Sequence, residues 1–294
     1  PSSASPLEST SFRTSSARSP RVSAGSDIQI ADFLLAGKNS STENCGASAK
    51  SEKSRLPSGI IIFKNESILI LNKPYDIPVQ PSANSKGNSL AEIVQKDYEA
   101  SHKKTSLSFR TGPLHRLDRK TTGLIAFSQN LSGAKWFSEK IKTHEIQKVY
   151  LALLEGNLSG NQVWEERIER KTESGKSKNE NFHTVSVDSE SGKVAHTEIF
   201  PVSHGLFLGK DVTLARVLIK TGRTHQIRAQ AGFHGFPLLG DTAYGGTKID
   251  SSCWGQEFFL HASELHFPHE NPLGLSEKLT APLPKAFEEI IANF

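Results

Sequence analysis

The tightest connection in the chain dictates the kind of sheet it can build. Residues 60–63 and 68–71 are two apolar, β-rich runs separated only by Lys64-Asn65-Glu66-Ser67. Four residues can join neighbouring strands only as an antiparallel hairpin, because a parallel crossover takes about a dozen or more. Asn72-Lys73-Pro74 ends the second run. Ser89, with Glu92 three residues later, forms a capping box, and Leu90, Ile93, Val94 and Tyr98 supply a helical stripe behind it. Further strands are expected at 123–128, 148–154 and 212–220, and helices from 132 to about 143 and from Thr224 to a stop at Gly235. The highly charged stretch 170–192 reads as a surface insertion or long hairpin loop. Closely spaced strands with intermittent helices predict an α+β fold, a mixed, largely antiparallel sheet with flanking helices, rather than a doubly wound parallel sheet.

No run approaches the ~18 apolar residues of a membrane span, so no membrane partner is expected. Cys45 and Cys253 are the two cysteines, far apart and without a ligand cluster. They support neither a disulfide scaffold nor a zinc site, and read as free thiols of a reducing, cytoplasmic compartment. Ahead of the first hairpin, residues 1–58 carry ten serines in the first 26 positions and no sustained apolar period, which cannot nucleate a core. Three readings stay open: a Ser- and Arg-rich organelle-targeting peptide, a remnant of a small accessory domain whose last strand would be 21–30, or a disordered tail. The folded unit is expected at 59–294. With no methionine in the chain, Pro1 is not taken as the mature start. The formal charge is only +4, but residues 103–148 hold ten Lys and Arg against Asp118, Glu139 and Glu145, a local +7 that leaves −3 for the rest. That concentration suits a polyanionic partner.

Three constellations can carry chemistry. In Pro113-Leu114-His115-Arg116-Leu117-Asp118-Arg119-Lys120-Thr121-Thr122-Gly123, one carboxylate stands among three cations and a histidine. Neighbouring positive charge favours its ionised form, suited to nucleophilic or base work; the bland alternative is an acid that neutralises a basic turn. In Thr221-Gly222-Arg223-Thr224-His225-Gln226-Ile227-Arg228, a strand leads into a helix that Thr224 would cap. Arg228, four residues on, shares that helix face and reaches for a carboxylate, or the segment is a plain phosphate-binding helix end. Pro237-Leu238-Leu239-Gly240-Asp241-Thr242-Ala243-Tyr244-Gly245-Gly246 lacks phosphate-loop spacing and reads as a structural turn. Histidines 225, 234, 261, 266 and 269 have no ligand spacing, so no metal is expected.

Taken in order, His115-Arg116-Leu117-Asp118-Arg119 with Thr121-Thr122-Gly123, Lys148-Val149-Tyr150-Leu151-Ala152, Gly222 to Arg228, and Gly240-Asp241 with Tyr244-Gly245 resemble the motifs of the RluA-like pseudouridine synthases. Asn72-Lys73-Pro74 with Pro78-Val79-Gln80-Pro81 resembles the family's opening, although the family often has His where Gln80 stands. Phe259-Leu260-His261-Ala262 and Ala281-Pro282-Leu283-Pro284 resemble its closing segments. The resemblance runs from about residue 60 to 294. It implies the pseudouridine synthase fold with a central RNA-binding cleft, and isomerisation of uridine to pseudouridine by glycosidic bond cleavage and base rotation, in large-subunit ribosomal RNA or, as the other candidate, transfer RNA. It implies no cofactor, and a monomer is expected. Residue by residue, it makes Asp118 the catalytic aspartate, Arg228 its buried ion-pair partner and Tyr150 the ring stacked on the target base. Arg116 would enter the RNA stack, Ile219 would floor the site beside Tyr150, and His115, Arg119, Arg223, Thr224 and His225 would complete the substrate-binding set. The competing functions are a catalytically silent RNA-binding or ribosome-assembly protein of the same fold, and a metal-independent hydrolase using Asp118 and His225.

Overall fold

The computed structural model describes residues 56–81, 89–101, 109–170, 184–292 and 294. The expectations for the stretch before residue 56, including Cys45, lie outside them. One sheet of ten strands organises the chain. The opening hairpin is β1 (Ile61–Lys64) and β2 (Ile68–Lys73), paired antiparallel. Asn65 shapes its turn by accepting from the backbone N–H of Ser67 and Ile68, both at 2.9 Å. The capping box opens α1 (Leu90–Ser101), where the Ser89 N–H donates to Glu92 at 3.0 Å and the Glu92 N–H returns to the Ser89 hydroxyl at 3.3 Å. Next come β3 (Thr122–Ser128), α2 (Leu131–Lys142), β4 (Gln147–Glu155) and β5 (Gln162–Arg170).

The charged stretch is not all loop. Beyond the undescribed residues 171–183, β6 (Val185–Val187) pairs antiparallel with the end of β5 at the sheet edge. Two long strands, β7 (Lys193–Phe207) and β8 (Lys210–Ile219), lead to α3 (Gln226–Phe233) and a one-turn α4 (Ser251–Trp254). The chain finishes with β9 (Leu260–His266), β10 (Lys278–Thr280) and α5 (Lys285–Ile291).

Strand order is β1-β2-β3-β9-β4-β8-β7-β5-β6, with β10 beside β9. Every pairing is antiparallel except β3 with β9, which touch only at Thr122–His261 and Gly123–Ala262. That parallel contact joins a three-stranded half, β1 to β3, to the rest of the sheet. Gly123 makes it feasible: its φ is +104°, and a Cβ there would lie 2.3 Å from the Ala262 carbonyl oxygen. Both faces of the sheet are covered. Leu69 and Leu71 point into one core cluster with Ile125, Phe127, Ala152 and Val217, while Ile68 and Ile70 point into another with Leu124 and Phe137. This two-sided burial explains why β2 reads as a continuous apolar run instead of alternating.

Candidate active site

A cleft of about 620 Å³ lies where the loop before β3, the start of β4, the end of β8 and the start of α3 converge. Asp118 occupies a turn whose Asp118 carbonyl accepts from the Thr121 N–H at 3.1 Å. Its neighbour Leu117 is sunk in the core. From beneath, the fully buried Lys73 ammonium donates to the carbonyls of Pro74, Ile77 and Arg119 at 2.9, 2.9 and 2.7 Å, pinning the loop one residue past Asp118. Burial brings the Lys73 pKa down to about 7, while the charges of Asp118 and Asp76 pull the other way.

Two of the three flanking cations turn away from Asp118, while Arg116 stays on the cleft lining. Arg119 turns to Asp76, with Nη2 donating at 2.9 Å, and Lys120 is bonded to Glu257. The positive charge beside Asp118 comes from α3. Arg228 Nη1 lies 3.7 Å from Asp118 Oδ2, and His225 Nε2 lies 3.8 Å from Oδ1. Arg228 therefore does face Asp118, but its tight partner is another residue. Its Nε and Nη2 donate to the two oxygens of Asp241 at 2.6 and 2.8 Å, a buried bidentate fork. Its guanidinium carbon is also 4.4 Å from the Phe258 ring centre and 5.1 Å from that of Tyr244. Burial works against the Arg228 charge, but the bonds and charge of Asp241 together with Asp118 outweigh it and raise the pKa. The segment read as a structural turn thus supplies the anchor of the cleft's innermost cation.

The helix start also differs from expectation. Thr224 neither caps α3 nor lines the cleft; the N-cap is His225, at φ 52° and ψ 23°, with no capping side-chain bond. Gln226 does the organising work. Its carbonyl accepts from the Thr221 hydroxyl and the Arg223 N–H, and its amide donates to the His196 carbonyl and to Thr197. One turn later Gln230 bonds Thr197, Glu166 and the carbonyls of Trp164 and Ala195. Residues two apart on a helix point to opposite sides, so the two glutamines bolt α3 to β5 and β7 and leave Arg228 facing the cleft.

Tyr150 is 5% exposed and lines the cleft with Ile219, which stands diagonally across the β4–β8 ladder. Burial, and then the charge of Asp118, push the Tyr150 pKa well above that of an ordinary phenol, so the ring stays protonated at neutral pH. Arg116 and Arg223 line the mouth; the Arg223 Nε also donates to the Val194 carbonyl at 3.0 Å. His115 belongs to the wall: its Nε2 accepts from the Ala126 N–H at 3.1 Å, its ring stacks on Phe137, and burial lowers its pKa to about 3. Arg119 does not line the cleft. Among the described residues no group of His, Cys, Asp and Glu is arranged to hold a metal.

The lining has one decisive asymmetry. Among its described residues Asp118 is the single carboxylate, set against Arg116, Lys142, Lys148, Lys220, Arg223 and Arg228. A lone acid, 17% exposed at the floor of a cationic cleft, can act on a bound polyanion without competing acids repelling the substrate.

These features coincide with a known family. Residues 67–232, more than half of the chain, match the model of the RNA pseudouridylate synthases, and the chain belongs to that family. Among its relatives, a protein of Borreliella burgdorferi named ribosomal large subunit pseudouridine synthase D is 29% identical over 240 residues, covering 80% of this chain and 68% of the relative. RNA pseudouridine synthase 2, chloroplastic, of Arabidopsis thaliana is 30% identical over 215 residues, 64% of this chain and 49% of the relative. The solved structure of human RNA pseudouridylate synthase domain containing 1 superposes with a TM-score of 0.56 at 25% identity, over 76% of this chain and 83% of that one.

Proposed function

We propose that the cleft receives a uridine extruded from RNA and converts it to pseudouridine, with large-subunit ribosomal RNA as the substrate and residues 59–294 as a monomeric catalytic unit. The observation that carries this reading is Asp118, which faces Arg228 and His225 and is, among the described lining residues, the single carboxylate in a cleft whose other charged groups are cations. The reaction breaks the bond from the sugar C1′ to N1 of uracil, turns the base, joins C1′ to C5, and moves a proton from C5 to N1. Atoms and charge balance without an external group. Asp118 starts the cleavage, and Arg228 keeps it ionised as charge develops at the sugar. Tyr150 supports the free base from one side against Ile219.

Extrusion costs a few kcal/mol of unstacking, and stacking on an aromatic ring returns ~1 to 3 kcal/mol. Arg116 at the mouth, planar and charged, fills the vacated stack, while Arg223 and the other lining cations take the phosphates. The ribosomal assignment draws on the name of the bacterial relative. The compartment is proposed as cytoplasmic, with an organelle as the outcome if residues 1–58 act as a targeting peptide. Pseudouridine mapping of total RNA from cells with and without the protein tests the reading. Discrete sites should vanish without it and return with the wild type but not with Asp118→Asn; an unchanged map refutes it.

A further inference from the structure

His225 and Tyr244 form a pair that the cleavage step as written does not use. His225 sits in the left-handed region at φ 52°, a conformation that a non-glycine residue keeps only where its surroundings hold it. What holds it is visible. Its Nδ1 lies 2.8 Å from the Tyr244 hydroxyl, and that hydroxyl also accepts from the Val185 N–H at 3.1 Å. Tyr244 is pressed against α3 because residue 232 is glycine; a Cβ there would lie 2.3 Å from the Tyr244 carbonyl oxygen.

A phenol has one hydrogen. The Val185 N–H takes one lone pair of the oxygen, and among the described residues Nδ1 is the acceptor within reach of the hydroxyl hydrogen, so the hydroxyl is assigned as the donor to Nδ1. The imidazole must then carry its proton on Nε2, the atom 3.8 Å from Asp118 Oδ1. The groups facing this ring are Tyr244, Asp118, Arg228, Asp241 and Arg116. Burial keeps it neutral at pH 7, the acids pulling one way and the arginines the other.

We propose that His225 is a positioning residue for Asp118, a neutral N–H donor whose tautomer is set by Tyr244 and which holds one carboxylate oxygen while Arg228 faces the other. This rests on the function proposed above. In the free protein the two groups flank the carboxylate at 3.8 and 3.7 Å, outside hydrogen-bond distance; each closes to a bond as the substrate seats, which fixes the rotamer and, because a carboxylate oxygen has two lone pairs, leaves lone pairs for the sugar. A neutral donor does this without adding a second full positive charge, which would weaken the carboxylate as a nucleophile or base.

The test joins spectroscopy to kinetics in the full chain. Histidine ¹⁵N shifts, with His225 assigned by its disappearance in His225→Gln, should show Nδ1 unprotonated and Nε2 protonated at pH 7 with no RNA present; the opposite tautomer overturns the proposal whatever the enzyme's activity. Single-turnover pseudouridine formation is then followed on RNA from cells lacking the protein. His225→Leu should lose roughly 10- to 100-fold in turnover, the scale of a misplaced reacting group, with RNA affinity within about threefold. His225→Gln, which restores a neutral donor near the same place, should recover most of that loss.

Tyr244→Phe should slow the wild type about tenfold and add nothing in the Gln background, because no tautomer remains to be set. Equal losses in both backgrounds, or a Gln variant as slow as Leu with an unchanged melting temperature, overturn it. If the wild type itself forms no pseudouridine, the functional reading fails while the tautomer measurement still stands.

Discussion

Replacing Asp241 by Asn tests the arrangement at its hinge, because the substitution keeps the shape and deletes the charge that anchors Arg228. In the native fold both oxygens are used, at 2.6 and 2.8 Å, and the Asp241 side chain is 2% exposed. Removing one partner of a buried ion pair costs about 3 to 5 kcal/mol. Asn retains one acceptor, and Arg228 keeps the Phe258 and Tyr244 rings and can close on Asp118, so a loss of about 2 to 3 kcal/mol is expected. For a domain of this size about 1 kcal/mol moves the melting temperature by ~2 to 4 °C, giving a drop of roughly 5 to 10 °C. Turnover should fall by roughly 10- to 100-fold as well, because the freed guanidinium pairs tightly with Asp118 and pulls it off position. The assay is calorimetry beside single-turnover kinetics, with Arg228→Met and the double variant completing a cycle. A coupling energy of at least about 1.5 kcal/mol is expected. A melting temperature within about 1 °C of wild type, or additive effects, would refute the claim that Asp241 holds Arg228.

Asp118→Asn should abolish turnover while RNA affinity, measured by filter binding, stays within about tenfold, since the charge belongs to the chemistry and few phosphate contacts depend on it. Tyr150→Phe should bind RNA normally yet lose at least ~10²-fold in turnover if, as we propose, the hydroxyl positions the group that moves the C5 proton, and a Phe variant at wild-type speed would reduce the ring to a stacking platform; the raised pKa predicts no alkaline limb from this phenol below about pH 10. Lys73 gives a stability signature. Its pKa falls from 10.5 on folding to about 7, so between those values the unfolded chain binds the extra proton and stability rises with pH. Melting curves from pH 7 to 9.5 should show wild type gaining on Lys73→Met, and a gap that narrows would sink the assignment. Loss of Arg223 or Lys142 at the cleft mouth should shallow the slope of log affinity against log salt by ~0.7 to 0.9 each, read from binding at several salt concentrations.

How much of this was legible beforehand follows from how local each signal is. The first hairpin, the Ser89–Glu92 box and the strand containing Tyr150 are written in contiguous residues, and all three stand where the periodicity puts them. β5 and β7 were harder to see. β5 reads Gln162-Val163-Trp164-Glu165-Glu166-Arg167-Ile168-Glu169-Arg170, with only Trp164 and Ile168 buried. Its outward positions face solvent and polar groups of β7, so the pattern resembles a charged loop until the partner strand is known. The parallel junction of β3 with β9 rests on two residue pairs about 140 positions apart, and nothing near Gly123 announces that its missing side chain makes room for Ala262.

At the site, the same distinction separates what the motifs disclose from what geometry alone decides. Asp118 and Arg228 stand out because an acid in a basic run and an arginine after a glycine turn are unusual locally. Their pairing, however, is a property of the fold. Arg119 and Lys120 follow Asp118 directly in sequence, yet they answer to Asp76 and Glu257. The cation that does face Asp118 arrives 110 residues later, on a helix aimed by two glutamines on its opposite side. Gln226 could have been suspected, since a glutamine flanked by Ile227 at the start of a short, largely buried helix must spend its amide on something. Asp241 could not: a Gly-Asp pair in a turn is explained by the turn itself, and only the 2.6 Å contact with a buried arginine makes the carboxylate more than a turn former. The cleft works because these remote groups fix Arg228 and His225 before any RNA arrives, and such preorganisation is carried by long-range contacts that no window of sequence contains.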